Sequence, residues 1–189
     1  MTAYLRRAGT ARLADGASLA WSLAEGRRGR RWRAVATVNG AITHALLLEV
    51  DLAGRPARLE LTTPAGLLTL HPEPDGSSLH GNVVGMEGVQ HLALAWSPEH
   101  GLAVDGRPLA DAVTAHRLAG TIGVGESRSV QVVAIASDLA FREETVQFRR
   151  QASGTWRITG PTDERTMAID PRGIPTGLGE AVEWALELD

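Results

Sequence analysis

The chain has 189 residues, a net charge of −3 at neutral pH and no cysteine. These features exclude a disulfide scaffold, thiolate metal sites and cysteine nucleophiles. They also give no global attraction to nucleic acid. With 43% apolar and 22% charged residues, the composition suits a globular chain that buries its own core without staples. Glycine and proline are spread along the chain and do not gather in a linker, so one domain spanning 1–189 is expected. All 19 basic residues are arginine, as a GC-rich genome would produce.

The first twelve residues, MTAYLRRAGTAR, lack the apolar core of a signal peptide. No run approaches the roughly 18 apolar residues of a membrane-spanning helix. A cytoplasmic location is the resulting expectation.

The strands can be taken in chain order. Trp32 to Val38 and Ala45 to Val50 are the first candidates, separated by a turn at Asn39-Gly40. Arg58 to Thr62 alternates charge and leucine. Leu67 to His71 and Leu79 to Val84 flank a turn at Pro74-Asp75-Gly76 and read as a hairpin. Val89 to Trp96 places Val89, His91, Ala93 and Ala95 on one face and Gln90, Leu92, Leu94 and Trp96 on the other. Pro108 to His116 is the best helix candidate, with proline at its first position; a loop leading into a strand at Arg117-Leu118 is the alternative.

Further strands follow at Ser129 to Ile135, Thr145 to Arg149, Thr155 to Ile158 and Arg165 to Ile169. At the C-terminus Val182, Trp184, Leu186 and Leu188 alternate with Ala181, Glu183, Ala185 and Glu187. A strand gathers those four apolar residues on one face; a helix would scatter them. Many short strands with turn residues between them predict an all-β fold. The expected architecture is one strongly coiled antiparallel sheet forming a roll or open barrel, with at most two short helices.

The densest polar cluster is LTLHPEPDGSSLHGN, Leu68 to Asn82. His71 and His80 stand at the two ends of the hairpin loop, with Glu73 and Asp75 between them. Two imidazoles and a carboxylate can hold a divalent metal or move a proton. The spacing matches no metal motif, however, and the prolines and Asp-Gly suit an ordinary turn, so no metal and no catalytic residue is assigned. His44 and His91 lie in apolar strands and read as wall or core residues. Gly120 to Gly125, GTIGVG, echoes a phosphate loop but lacks the following Lys-Ser/Thr, so it reads as a turn.

Arg27, Arg28, Arg30, Arg31 and Arg33 crowd around Trp32. Arg28, Arg31 and Arg33 are candidates for gripping an anionic group; a solvated loop is the plainer explanation, and nucleic acid is not expected from one basic run. Tryptophans 21, 32, 96, 156 and 184 outnumber Phe and Tyr together. Such residues fill a core or line a cavity for a partly apolar ligand.

Five features together resemble the bacterial glycolipid-binding family. They are Trp32-Arg33 opening a strand, LLLEVD from Leu46 to Asp51, and the DG…L-x-G segment from Asp75 to Gly81. The fourth is Arg117-Leu118, followed by a β-branched run to Leu139 and by Val146-Gln147-Phe148. The last is IDPRGIP from Ile169 to Pro175. The family's Cys-containing Asp-rich strand and its T-P-x-T-N segment are absent. The resemblance implies a coiled antiparallel roll similar to lipid-carrier proteins, and no catalytic residues.

The leading reading is a non-enzymatic binding domain with an apolar groove for a small amphipathic ligand such as a lipid or glycolipid. It needs no cofactor. Candidate ligand contacts are Trp32, His71, His80, Asn82 and Trp96. Two alternatives stand beside it: a small enzyme using the His71/His80 hairpin, and a protein-interaction domain without a small-molecule ligand. The sequence leaves the oligomeric state open.

Overall fold

The computed structural model of the chain describes residues 6–13, 15–178 and 184–187. Its first eight strands are β1 (Arg6–Arg12), β2 (Ser18–Gly26), β3 (Gly29–Val38), β4 (Ala41–Val50), β5 (Pro56–Thr63), β6 (Gly66–Pro72), β7 (Ser78–Gly85) and β8 (Gly88–Ala95). A short β9 (Gly101–Val104) leads into helix α1 (Leu109–Ala119). Then come β10 (Ser127–Ile135), β11 (Phe141–Ala152), β12 (Thr155–Thr159), β13 (Glu164–Ile169), β14 (Pro175–Leu178) and β15 (Trp184–Glu187).

β1 to β8 form an antiparallel meander, closed at one side by β15, giving a nine-stranded sheet in the order β15-β1-β2-β3-β4-β5-β6-β7-β8. The second sheet has six strands in the order β14-β13-β12-β11-β10-β9. The all-β class and the lone short helix agree with the sequence pattern. The hydrogen bonding differs in two respects: it runs in two ladders, where alternation suggested one continuous sheet, and one strand pair is parallel, where all were expected to be antiparallel. β14 and β15 lie close to each other and bring the two ladders together.

One strand pair is parallel. Val132 to Ile135 of β10 run alongside Gly101 to Val104 of β9 in the same direction. Parallel neighbours require a crossover, and α1 supplies it. This explains why GLAV in β9 is buried throughout; parallel strands are covered on both faces, so period two disappears.

α1 lies between the sheets. Leu109, Ala110 and Val113 join a core with Leu23, Trp32 and Leu48 of the large sheet. Ala112, Ala115 and Leu118 pack with Phe148, Trp156 and Met167 of the small one. Small residues at 112 and 115 let the helix approach the six-stranded sheet closely. Each fully buried leucine in these cores contributes roughly 1.5–3 kcal/mol. The helix begins after Pro108 and continues through Arg117-Leu118 to Ala119, so the alternative of a strand there is not taken.

The hairpin of β6 and β7 forms as expected, with His71 opposite His80. In β8 and just after it, Leu92 and Trp96 are buried while Val89, His91, Ala93 and Ala95 are exposed, so the two faces separate as the alternation indicates, except that Gln90 is exposed as well; His91, read as a wall or core residue, lies on the outer face. β1, β2, β9 and β14 are additional to the strands anticipated. β15 confirms a C-terminal strand and pairs Leu186 with Gly9. The shared face expected for the side chains of Val182, Trp184, Leu186 and Leu188 lies outside what is described.

Candidate ligand-binding cavity

A cavity of about 600 Å³ opens at the seam between the two sheets, at the C-terminal end of α1. This volume is in the range of small-molecule sites, about 300–1,000 Å³. Trp32 of the large sheet and Trp156 of the small sheet both line it, with Val50, Val113 and Ile169. Both tryptophans are buried, at 1% and 0% exposure. The Nε1 of Trp156 has no hydrogen-bond partner among the described residues.

The remaining wall is charged. Arg30, Arg117, Arg150 and His116 share it with Glu25, Asp51 and Asp170. Several of these groups are held by backbone atoms. Arg150 donates from Nη1 to the carbonyls of Ala119 and Ile122, 3.0 Å each, at the end of α1 where unpaired carbonyls accumulate negative charge. Its guanidinium also lies 6.0 Å over the Trp156 ring. Arg30 donates to the Arg172 carbonyl at 2.5 Å and lies 3.7 Å from Glu25, tying the start of β3 in one sheet to the β13–β14 turn of the other. Arg117 donates to the carbonyls of Pro98 and Glu99 at 2.8 and 2.9 Å.

Two turns of one design frame the cavity. Asp51-Leu-Ala-Gly54-Arg-Pro56 follows β4, and Asp170-Pro-Arg-Gly173-Ile-Pro175 follows β13. In the first, Asp51 Oδ1 accepts from the amides of Ala53 and Arg55 at 2.9 and 2.8 Å. In the second, Asp170 Oδ1 accepts from Arg172 and Ile174 at 2.8 and 2.9 Å. The aspartate carbonyl also accepts from the glycine amide in both, at 3.0 and 2.9 Å. Gly54 and Gly173 have positive φ, 76° and 79°, which only glycine adopts at no steric cost. These glycines pack against consecutive residues of α1. A β-carbon on Gly54 would lie 3.4 Å from Arg117 Cβ, and one on Gly173 would lie 2.5 Å from His116 Cγ.

The His116 imidazole is held below its ordinary pKa. Burial is the main cause and the Arg30 charge reinforces it, against the pull of Asp170 and Glu25. A neutral ring beside several cationic groups can donate from one nitrogen and accept at the other.

Of the five candidate ligand contacts, the structure brings Trp32 to this cavity. His71 and His80 do face each other and share Glu73, whose Oε1 lies 4.0 Å from His71 Nε2 and 3.8 Å from His80 Nδ1. Their side chains are 56% and 43% exposed, and they are not in the wall of this cavity. Asn82 faces outward and pairs with His91 Nδ1 at 2.5 Å. Trp96 is buried, with the His100 ring edge-on at 5.4 Å. Among the described residues, no group of three or more His, Asp or Glu side chains is arranged to hold a metal ion.

The arginine cluster divides by strand parity. Arg31 and Arg33 point away from the core, and Arg31 pairs with Glu49 at 2.6 Å. Arg28 is exposed in the β2–β3 turn. Arg30 is the member that reaches the cavity. His44, half-buried, accepts from Arg107 Nη2 at 2.8 Å, as a wall residue should.

Sequence reasoning missed His116, Arg150, Trp156 and Asp170 as a group. The D-x-x-G-x-P pattern, present at both 51–56 and 170–175, was the legible signal.

No family model matches the chain, and no curated protein matches it. Among solved structures it is similar to a DUF1089 family protein from Pseudomonas aeruginosa. The two share 14% identity and a TM-score of 0.55, over 95% of this chain and 91% of that one. At that identity the likeness is one of fold. It supports the all-β fold and shows no glycolipid-binding family. No helix among the described residues is long and apolar enough to cross a membrane.

Proposed function

We propose that the chain is a binding domain whose cavity takes a small amphipathic ligand, with a lipid or glycolipid as the leading class. The observation that carries this reading is the meeting of Trp32 and Trp156, from different sheets, in one cavity of about 600 Å³ with charged walls. Both indoles are already almost fully covered by protein, so they form the apolar backing of the cavity floor, against which an alkyl chain or the apolar face of a sugar ring can settle. Arginine, carboxylate and imidazole groups recognise hydroxyl or anionic head groups. The wall is more polar than in most small-molecule sites, with three arginines, His116 and three carboxylates beside the apolar residues, which favours a ligand with a large polar head group. The candidate residues carried by this reading are Trp32, Trp156, Arg30, Arg150 and His116, in place of the β6–β7 hairpin.

The test is a titration with octyl glucoside below its micelle concentration, followed by tryptophan fluorescence, beside native mass spectrometry of the protein as purified. Saturable one-to-one binding is expected. Gly120 lines the cavity with φ −81°, and a β-carbon there would meet nothing within 4 Å. Gly120→Trp therefore fills the space without backbone strain and should weaken binding at least about tenfold, or about 1.4 kcal/mol. Equal binding by Gly120→Trp, or no saturable binding together with no copurified amphiphile, would overturn the reading.

A further inference from the structure

β8 ends the nine-stranded sheet and is hydrogen bonded on one side, to β7. Its eight residues, GVQHLALA, contain no charged side chain and no proline, and they pair with β7 without a register shift. Sheet edges that stay unpaired in solution are usually blunted by charges, proline or bulges. β8 carries none of these. Along this edge of roughly 26 Å, the backbone on the side away from β7 has no strand partner among the described residues.

A second observation concerns the outer face of the same sheet. Cross-strand registers place Val35 opposite Ala45, Ala45 opposite Thr62, Thr62 opposite Leu67, Leu67 opposite Val84 and Val84 opposite Val89. This uncharged row runs across six strands and ends on β8. Exposure rises toward that end, from 38% at Leu67 through 44% at Val84 to 60% at Val89, with Met86 in the adjoining turn fully exposed. An uncharged row whose apolar residues grow more exposed toward an unprotected edge marks a contact surface.

We propose that β8 pairs antiparallel with β8 of a second copy of this chain, joining two nine-stranded sheets edge to edge. The strand is self-complementary. With the two-fold axis at Leu92, His91 stands opposite Ala93, Val89 opposite Ala95 and Gln90 opposite Leu94, and no like charges meet. Backbone hydrogen bonds supply the affinity, as in strand addition to an open edge. The contact uses the same edge on both copies, so assembly stops at two. The inference is independent of the cavity.

Sedimentation velocity across a micromolar to submillimolar dilution series tests it. The expected result is a species of twice the 20.1 kDa chain mass that dissociates on dilution. His91 and Ala93 are exposed and outside the cavity, so His91→Lys/Ala93→Lys should stay folded and run as a monomer. In the wild-type protein, amide exchange over β8 should slow as concentration rises. A monomer at every concentration, an open series of larger species, or a dimer whose β8 amides exchange at the monomer's rate would each overturn the proposal.

Discussion

Gly173 of the β13–β14 turn lies directly against the imidazole of His116 on α1. A β-carbon added at 173 would fall 2.5 Å from Cγ of that ring, and the backbone there has φ 79°. The turn therefore docks on the helix through a residue that has no side chain. Gly173→Ala must both adopt a left-handed conformation and displace the ring. A loss of about 2–4 kcal/mol is expected, combining a left-handed penalty of about 1–2 kcal/mol with an overpacking term. Urea denaturation reads it directly. A change under about 0.5 kcal/mol, the scale of an ordinary surface substitution, would show that the turn is not seated on the helix.

Two histidines make stability depend on mildly acidic pH. His44 is held below the ordinary value of 6.5 by burial and by the Arg107 charge, with Asp15 opposing. His116 is shifted the same way, by burial and Arg30, with Asp170 and Glu25 opposing. The unfolded chain therefore binds protons that the folded chain refuses. The stability tied to these groups is complete above about pH 6.5 and is lost as pH falls through it toward the folded-state values. Melting temperature should fall between about pH 7.5 and 5, and less steeply in His44→Gln and His116→Gln. A flat profile in the wild-type chain would contradict this.

Asp111 sits in the first turn of α1, buried at 6% exposure, and accepts from Arg165 Nε of β13 at 2.7 Å. Burial pushes its carboxyl pKa up, and the Arg165 charge holds against that. Arg165→Met strands the acid beneath the small sheet. Breaking a buried pair costs about 3–5 kcal/mol; the partial exposure of Arg165 favours the low end, about 3 kcal/mol. Adding Asp111→Asn should recover part of it. If the double variant is no more stable than the single one, the buried charge is not the source of the loss.

Trp32 packs 5.8 Å from Trp21, centroid to centroid, beneath the large sheet, and also lines the cavity. Trp32→Ala should cost about 3–5 kcal/mol. Trp32→Phe keeps most of the apolar area and should fold. In the octyl glucoside titration it should bind more weakly while Trp96→Phe, away from the cavity, binds as the wild type does. Equal affinities in the two variants would remove Trp32 from the ligand site.

Strand identity was readable in most strands with one face buried and the other wet, although β2, which alternates in the same way, was not anticipated. In β3, Trp32, Ala34 and Ala36 point inward while Arg31, Arg33 and Val35 point outward, and this is visible as plain alternation. β9 was not readable, because GLAV is buried on both faces and carries no period. The His71–His80 pairing was readable for a different reason: a hairpin is local, so the loop sets the register. The cavity is not local. His116, Arg150 and Asp170 are far apart in the chain, and nothing in their neighbourhoods says that they meet.

The sequence by itself determined the β class, most of the strands, the helix start at Pro108 and the two aspartate turns, because each depends on alternation, proline geometry or side-chain-to-amide bonds within a few residues. The tertiary structure decided the division into two ladders, the parallel β9–β10 pair and the position of α1 between the sheets. It also decided which arginine of the crowded run reaches the cavity. Those outcomes depend on long-range packing of whole faces, in which a residue's partner is set by the fold of the entire chain and not by its neighbours in sequence.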